Sequence, residues 1–219
     1  MSPKEIIHHI KNLKAAKSPG PDGITNILIK QLPKRCIIFL CNIYNACLKN
    51  CHFPNTWKIA KVIPITKIGK DNALVENYRP ISLLDTLGKI FEKLIYGKLE
   101  IHLQANKIIP NEQLGFRKQL STNHQLLRIT TDIKGAIDTK KSTGLILFDV
   151  EKAFDKVWHK GLIYKLIKFK TPSYIIRLLN SYLENRKLFV VYRSEKFVTD
   201  SILSGVPQES RCCAFPYVI

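Results

Sequence analysis

The sequence predicts an α+β fold, and three observations carry that expectation. Apolar residues recur at helical spacing in several long segments; residues 57–67 and 78–84 read as two strands joined by a turn; and Leu145 to Phe148 has the length and composition of a buried strand. With 219 residues and 45% apolar side chains, the chain has the composition of a globular protein with a sizeable core. It shows neither an internal repeat, a low-complexity tract nor a clear linker.

In chain order, Ser2-Pro3 opens a basic amphipathic helix over residues 3–17, which Ser18-Pro19-Gly20-Pro21-Asp22-Gly23 ends. That loop cannot continue a helix, because its prolines remove donors and its glycines permit positive φ. Asp22 or Thr25 then caps a short helix from Ile24 to Leu32, and Pro33 separates it from a helix over Lys34 to Asn50. Lysines and aliphatics alternate from Trp57 to Lys67, which predicts a half-buried strand with a basic exposed face. A turn at Gly69-Lys70-Asp71-Asn72 returns the chain as a second strand, Tyr78 to Leu84, holding Lys67 and Arg79 on the same side.

Leu87 to Gln104 predicts a long helix whose buried stripe is Ile90, Leu94, Ile95, Leu99 and Leu103, with Lys89, Lys93 and Lys98 facing solvent. After the loop at Gln113 to Lys118, a helix from about Thr122 to Thr139 presents Leu126, Ile129, Ile133 and Ile137 as its apolar face. His124 reads as a surface polar residue, since no second ligand follows it at helical spacing. The run Leu145 to Phe148 delivers Asp149 at its end, and Asp155 is placed to cap a helix running on to Lys168. A helix from Ser173 to Leu183 and a hairpin of Leu188 to Tyr192 with Lys196 to Ile202 complete the pattern.

The charge is strongly one-sided: 35 Lys and Arg against 17 Asp and Glu, a formal net charge of +18. Residues 1–141 hold 23 of the basic and 10 of the acidic side chains, so the excess is heaviest before the Asp149 strand. Such an excess repels itself unless a polyanion neutralises it, which makes nucleic acid the first candidate partner, bound with a steep salt dependence. An anionic membrane surface is the second, but no stretch reaches the ~18 apolar residues of a spanning helix and no signal peptide opens the chain. Of the six cysteines, Cys41 and Cys51 fall on a helical stripe with Ile37, Leu40, Tyr44 and Leu48, and so read as small apolar residues. Cys47, Cys51 and His52 form the only metal-like cluster and lack a paired Cys-x-x-Cys, so core packing is expected rather than zinc. Free thiols imply a reducing compartment.

Five segments in this order carry a resemblance. They are Lys17-Ser18-Pro19-Gly20-Pro21-Asp22-Gly23, Tyr78-Arg79-Pro80-Ile81-Ser82-Leu83-Leu84, Gln113-Leu114-Gly115-Phe116-Arg117, Phe148-Asp149-Val150-Glu151-Lys152-Ala153-Phe154-Asp155 and Gly205-Val206-Pro207-Gln208. Together the chain resembles the reverse transcriptase of non-LTR retrotransposons, most closely the jockey-like or LINE-type elements of animals. The resemblance implies a right-hand polymerase, with fingers over residues 1–140 and a partial palm over residues 141–219, an incomplete palm sheet and no thumb. It implies template-directed addition of deoxynucleotides to a 3′-OH, with an RNA template, a DNA primer and deoxynucleoside triphosphates as partners and no membrane. A basic protein acting on nucleic acid, without export signals, is expected in the cytoplasm or nucleus.

By the same resemblance Asp149 is the catalytic carboxylate that binds metal, with the Val150 carbonyl beside it, and the cofactor is a pair of Mg²⁺ ions, hard cations that take oxygen ligands. Phe154 matches the aromatic that crowds the sugar 2′ position; packing under the strand is its alternative. Lys67 and Arg79 match fingers residues that neutralise triphosphate charge, against the alternative of a general basic face for template phosphates. Gln208 matches a residue contacting nucleotide or template, and Gly115, Phe116 and Arg117 match a template-side loop.

Two departures set further expectations. The family pattern has glycine where this chain has Glu209, a bulky acid at a close backbone approach. The family's aromatic-Ala-Asp-Asp hairpin is absent, and the acidic residues after Asp155 are Glu184, Glu195, Asp200 and Glu209, with no adjacent pair. The chain is therefore expected to be a fragment that lacks the second metal-binding aspartate, the thumb and the upstream endonuclease, and to be silent by itself, since one carboxylate cannot hold two Mg²⁺ ions against their repulsion. The alternative is a catalytically dead remnant that binds nucleic acid.

Overall fold

Strand β1 (Ile59–Thr66) is the element on which the sheet is built. In this computed structural model, which describes residues 1–115, 117, 119–150, 153–193, 195–197, 201–202 and 204–206, β1 has neighbours on both edges. It pairs antiparallel with β2 (Tyr78–Leu83), in a register that sets Ile65 opposite Arg79 and Val62 opposite Ser82. On its other edge it runs parallel to β3 (Arg186–Tyr192), with Ile59 opposite Lys187 and Val62 opposite Val190. β3 turns into β4 (Glu195–Phe197), and β5 (Ser201–Ile202) pairs with the start of β3. The expected alternation is present, since Ala60 and Val62 are buried while Ile59, Lys61 and Ile63 are half-buried. Lys58 departs from the basic face: it ends a 3-10 turn ahead of β1, is only 2% exposed, and its Nζ donates to Asn55 Oδ1 at 3.0 Å.

The helices are α1 (Pro3–Lys11), α2 (Asn26–Lys30), α3 (Lys34–Lys49), α4 (Thr86–Ala105), α5 (Thr122–Asp138), α6 (His159–Lys168) and α7 (Ser173–Leu183). Ser2 caps α1 in a capping box with Glu5, whose carboxyl the Ser2 backbone N–H holds below its ordinary pKa. Thr25, rather than Asp22, caps α2 by accepting from the Leu28 N–H. Five aromatic rings join α3, the turn before β1, α4 and α7. Tyr44 stacks on Phe91 at 4.9 Å, and Phe53 meets the Tyr182 edge at 4.9 Å and the Trp57 edge at 6.1 Å. The Tyr44 hydroxyl donates to the Leu87 carbonyl at 2.7 Å, so the buried polar tip is satisfied. Ile90, Leu94, Ile95, Leu99 and Leu103 of α4 are buried as their spacing predicts.

Several expectations are corrected. Helix α1 stops at Lys11 rather than residue 17, because Leu13 turns back into the core and the Asn26 amide takes the Lys14 carbonyl at 2.8 Å. On α3 it is Cys47 that completes the buried stripe; Cys51 lies past the helix end at φ +50. Lys89, Lys93 and Lys98 are half-buried rather than fully exposed. Helix α5 forms, but none of its residues is buried: on its apolar face Ile129 and Ile133 are half-buried and Leu126 and Ile137 exposed. Residues 141–150 form no strand, and Leu145 to Phe148 are 58–92% exposed. A strand needs a neighbouring edge for its N–H and C=O groups, and no described strand offers one to this run. Asp155 does not cap α6: that helix begins at His159 after Trp158, with no side-chain cap.

Candidate functional site

The β1–β2 hairpin brings the two cations of its tip together. Lys67 lies two residues beyond Ile65, which faces Arg79 across the ladder, so the two-residue period of the pleat puts both on one face. The Lys67 N–H donates to the Asn77 carbonyl at 2.8 Å and its Nζ to the Glu76 carbonyl at 2.9 Å, which fixes the ammonium at the hairpin's end. Arg79 is exposed. The opposite face carries Ala60, Val62, Pro80 and Ser82, which line a cavity of about 360 Å³.

Across that cavity, residues 154–159 and 204–206 clasp one another. The Val206 N–H donates to the Phe154 carbonyl at 2.8 Å and the Gly205 N–H to the Val157 carbonyl at 3.0 Å. The Ser204 hydroxyl donates to the Asp155 carbonyl at 3.3 Å, and His159 Nε2 lies 2.7 Å from the Gly205 carbonyl, where it must be the protonated, donating nitrogen. Gly205 is required here: its φ is +84, and a Cβ would stand 2.7 Å from the Asp155 carbonyl oxygen. Phe154 is half-buried and packs against the core, while Asp155 faces the cavity. The clasp and the Lys67–Arg79 pair therefore address opposite faces of the sheet.

The remaining candidates lie apart. Asp149 and Val150 sit exposed in the strandless stretch. Gly115 is in an exposed turn, and Arg117 Nη1 donates to the Pro110 and Gln113 carbonyls at 3.4 Å each, organising its own loop. Phe116, Gln208 and Glu209 lie outside the described residues. His124 is exposed, and its Nδ1 accepts the Ser121 N–H at 3.1 Å, so it closes a capping box as a surface polar residue. Among the described residues no group of three His, Cys, Asp or Glu side chains could hold a metal, and no helix is long and apolar enough to cross a membrane. The described residues therefore do not complete a two-metal site.

The Pro-Gly loop is a shaped one. Asp85, 4% exposed at the start of α4, accepts the Asp22 N–H at 3.1 Å, and Gly20 packs so closely that a Cβ would stand 2.5 Å from the Asp85 nitrogen. Burial pushes the Asp85 carboxyl up to about 6, with the Asp22 charge and side chain adding to the rise and the Asp22 N–H and Lys89 opposing it. Sequence patterns do not single out Asp85, His159 or Arg186. A lone His in Val157-Trp158-His159-Lys160 or an Arg at a strand start has no spacing signal, because its partner is brought in by tertiary folding.

Residues 66–211 match a family model described as reverse transcriptase (RNA-dependent DNA polymerase). The chain is 42% identical over 208 residues to the probable RNA-directed DNA polymerase from transposon BS of Drosophila melanogaster, an alignment covering 94% of this chain and 23% of the relative. It is 37% identical to the probable RNA-directed DNA polymerase from transposon X-element of the same fly, covering 95% of this chain and 23% of that protein. With the RNA-directed DNA polymerase from the mobile element jockey it shares 38% identity, over 94% of this chain and 22% of the relative. The chain thus spans less than a quarter of the length of these relatives.

Proposed function

The chain belongs to the reverse transcriptase (RNA-dependent DNA polymerase) family, and from that premise we propose that it is part of the RNA-directed DNA polymerase of a non-LTR retrotransposon. Residues 1–140 are its fingers and residues 141–219 the beginning of its palm. The observation that carries this reading is the clasp, which joins two distant segments of the family pattern, Phe154-Asp155 and Gly205-Val206, by direct backbone bonds. RNA template, DNA primer and deoxynucleoside triphosphates are its partners.

Within that reading each residue has a physical task. Lys67, tethered to the hairpin, and Arg79 beside it draw the triphosphate by charge-assisted hydrogen bonds. Phe154, held by Val206 and packed on the core, lies with the clasp on the other face of the sheet from Lys67 and Arg79, so we assign it packing rather than contact with the ribose of the same nucleotide. Gly115 and Arg117 shape the template-side loop. Asp149 supplies one carboxylate to a metal set that the described residues do not complete, and a divalent ion of the Mg²⁺ kind would offset charge on the transferring phosphoryl group.

A chimera tests the reading. This chain replaces the matching segment of the jockey polymerase, with and without Glu209→Gly, and RNA-templated primer extension is measured. Extension that falls about 100-fold or more on Asp149→Ala supports it; a chimera indifferent to Asp149→Ala overturns it. The second reading, a remnant that only binds nucleic acid, is favoured by the exposed, solitary Asp149 together with the +18 charge. It predicts chimeras that stay silent with either residue at 209 while the chain binds RNA with a steep salt dependence.

A further inference from the structure

Arg186 is 1% exposed, yet among the described residues its Nε and Nη2 find no acceptor. Its guanidinium lies 4.6 Å over the Tyr182 ring, and Nη1 donates to the Tyr182 carbonyl at 3.3 Å, so one edge is held while the other is buried without a partner. Arg186 shares the pleat face of Leu188 and Val190 and lines the cavity in front of the sheet. Lys58 stands beside it, one residue ahead of the paired Ile59 and Lys187, and is 2% exposed. Burial first, and then the neighbouring guanidinium, pull the Lys58 ammonium below its ordinary pKa. The acid that acts on Lys58, Glu184, is exposed and takes the Asn180 amide. Two adjacent buried cations with two orphaned guanidinium nitrogens are costly unless an anion joins them, since a cation–π contact returns much less than an unpaired buried charge loses.

We infer that Arg186, with Lys58 beside it, is the receptor for a phosphate oxyanion that enters from this cavity. The unpaired Nε–Nη2 edge is the fork that, once the side chain turns into the cavity, grips two oxygens of one tetrahedral group, and a phosphomonoester's charge matches two cations better than a carboxylate's does. The cavity, about 360 Å³, is large enough for a phosphate with an attached sugar, and Ala60, Val62, Leu188 and Val190 give that sugar apolar walls. Among the described residues Asp155 is the other charged group lining the cavity, and it selects against any ligand that crowds its carboxylate. This site faces away from Lys67 and Arg79, so it is separate from the triphosphate site proposed above and does not depend on it. The phosphomonoester could belong to a free nucleotide or to the end of a nucleic-acid strand.

The test follows the Arg186 Nε–H resonance of the ¹⁵N-labelled full chain through titration with inorganic phosphate, adenosine 5′-monophosphate, and an oligoribonucleotide bearing either a 5′-phosphate or a 5′-hydroxyl. The expected result is a saturable shift with inorganic phosphate that weakens about 10-fold or more in Arg186→Met and tightens about 3-fold or more in Asp155→Asn. Tighter binding of the monophosphate assigns the free nucleotide, and a preference for the 5′-phosphate over the 5′-hydroxyl strand assigns the strand end. The proposal is overturned if the Nε–H does not shift saturably, if Arg186→Met binds as the native chain does, or if Asp155→Asn leaves affinity unaltered or weaker. Should Arg186→Met fail to fold, the native resonance and Asp155→Asn still decide the matter.

Discussion

The Val206 N–H donates to the Phe154 carbonyl at 2.8 Å, and that single bond ties the aromatic of one sequence motif to the backbone of another. It belongs to a four-bond clasp that closes only because position 205 is glycine. Substituting Gly205→Ala forces a Cβ to 2.7 Å from the Asp155 oxygen at φ +84, and should destabilise the chain by about 2 kcal/mol or more in urea unfolding. His159→Ala, which removes one bond and leaves the Gly205 carbonyl half-satisfied, should cost about 1 kcal/mol. Both should speed amide exchange at Gly205 and Val206. Native-like exchange in Gly205→Ala would mean that the clasp is not formed.

Asp85 makes the Pro-Gly loop pH-sensitive. Its carboxyl is raised to about 6 in the fold from an ordinary 3.8, so the folded state holds a proton that the unfolded state gives up earlier. The stabilisation is therefore complete below about pH 4, is lost as pH rises toward 6, and is flat above. Asp85→Asn should abolish this slope between pH 4 and 6 in thermal unfolding while keeping the bond to the Asp22 N–H. An unchanged slope in Asp85→Asn would assign the titration to another group.

What can be read from the sequence follows the range of the forces involved. Helix α4 and its buried stripe, α7, the β1–β2 hairpin and the shared face of Lys67 and Arg79 all arise from local periodicity, and each appears where the pattern puts it. The early end of α1 is not legible, since it depends on Asn26 taking the Lys14 carbonyl. Leu145 to Phe148 has strand composition, yet composition does not say whether a partner edge exists. Asp155 reads as a helix cap because the cap rule is local; its backbone instead serves Ser204 and backs Gly205, through an approach made only by the return of the chain. The unpaired fork of Arg186 is equally invisible, being a property of the cavity and not of any spacing.

The exposed run Leu145 to Val150 is a contiguous apolar surface with free backbone groups, the chemistry that drives edge-to-edge association. Ile146→Lys with Phe148→Lys should lower self-association, read as a shift toward monomer in sedimentation velocity, with unfolding changed by no more than about 0.5 kcal/mol because neither side chain is buried. A large loss of stability would show instead that this run packs on the fold in solution.

Lys67 and Asp149 separate two kinds of electrostatics. Lys67 is held by the Glu76 carbonyl at the hairpin tip, so removing its charge takes a pre-positioned cation from a polyanion's path. Lys67→Ala with Arg79→Ala should weaken RNA binding by the chain and reduce the slope of log affinity against log salt by roughly 1–2, one for each phosphate that is no longer neutralised. Asp149→Ala removes an exposed negative charge from a strongly basic protein, and should leave RNA affinity unchanged or raise it. Both follow from competition binding of a labelled RNA at several salt concentrations. Loss of RNA binding in a folded Asp149→Ala variant would contradict the exposed placement of Asp149, because a solitary surface carboxylate has no means of attracting phosphate unless a cation bridges the two.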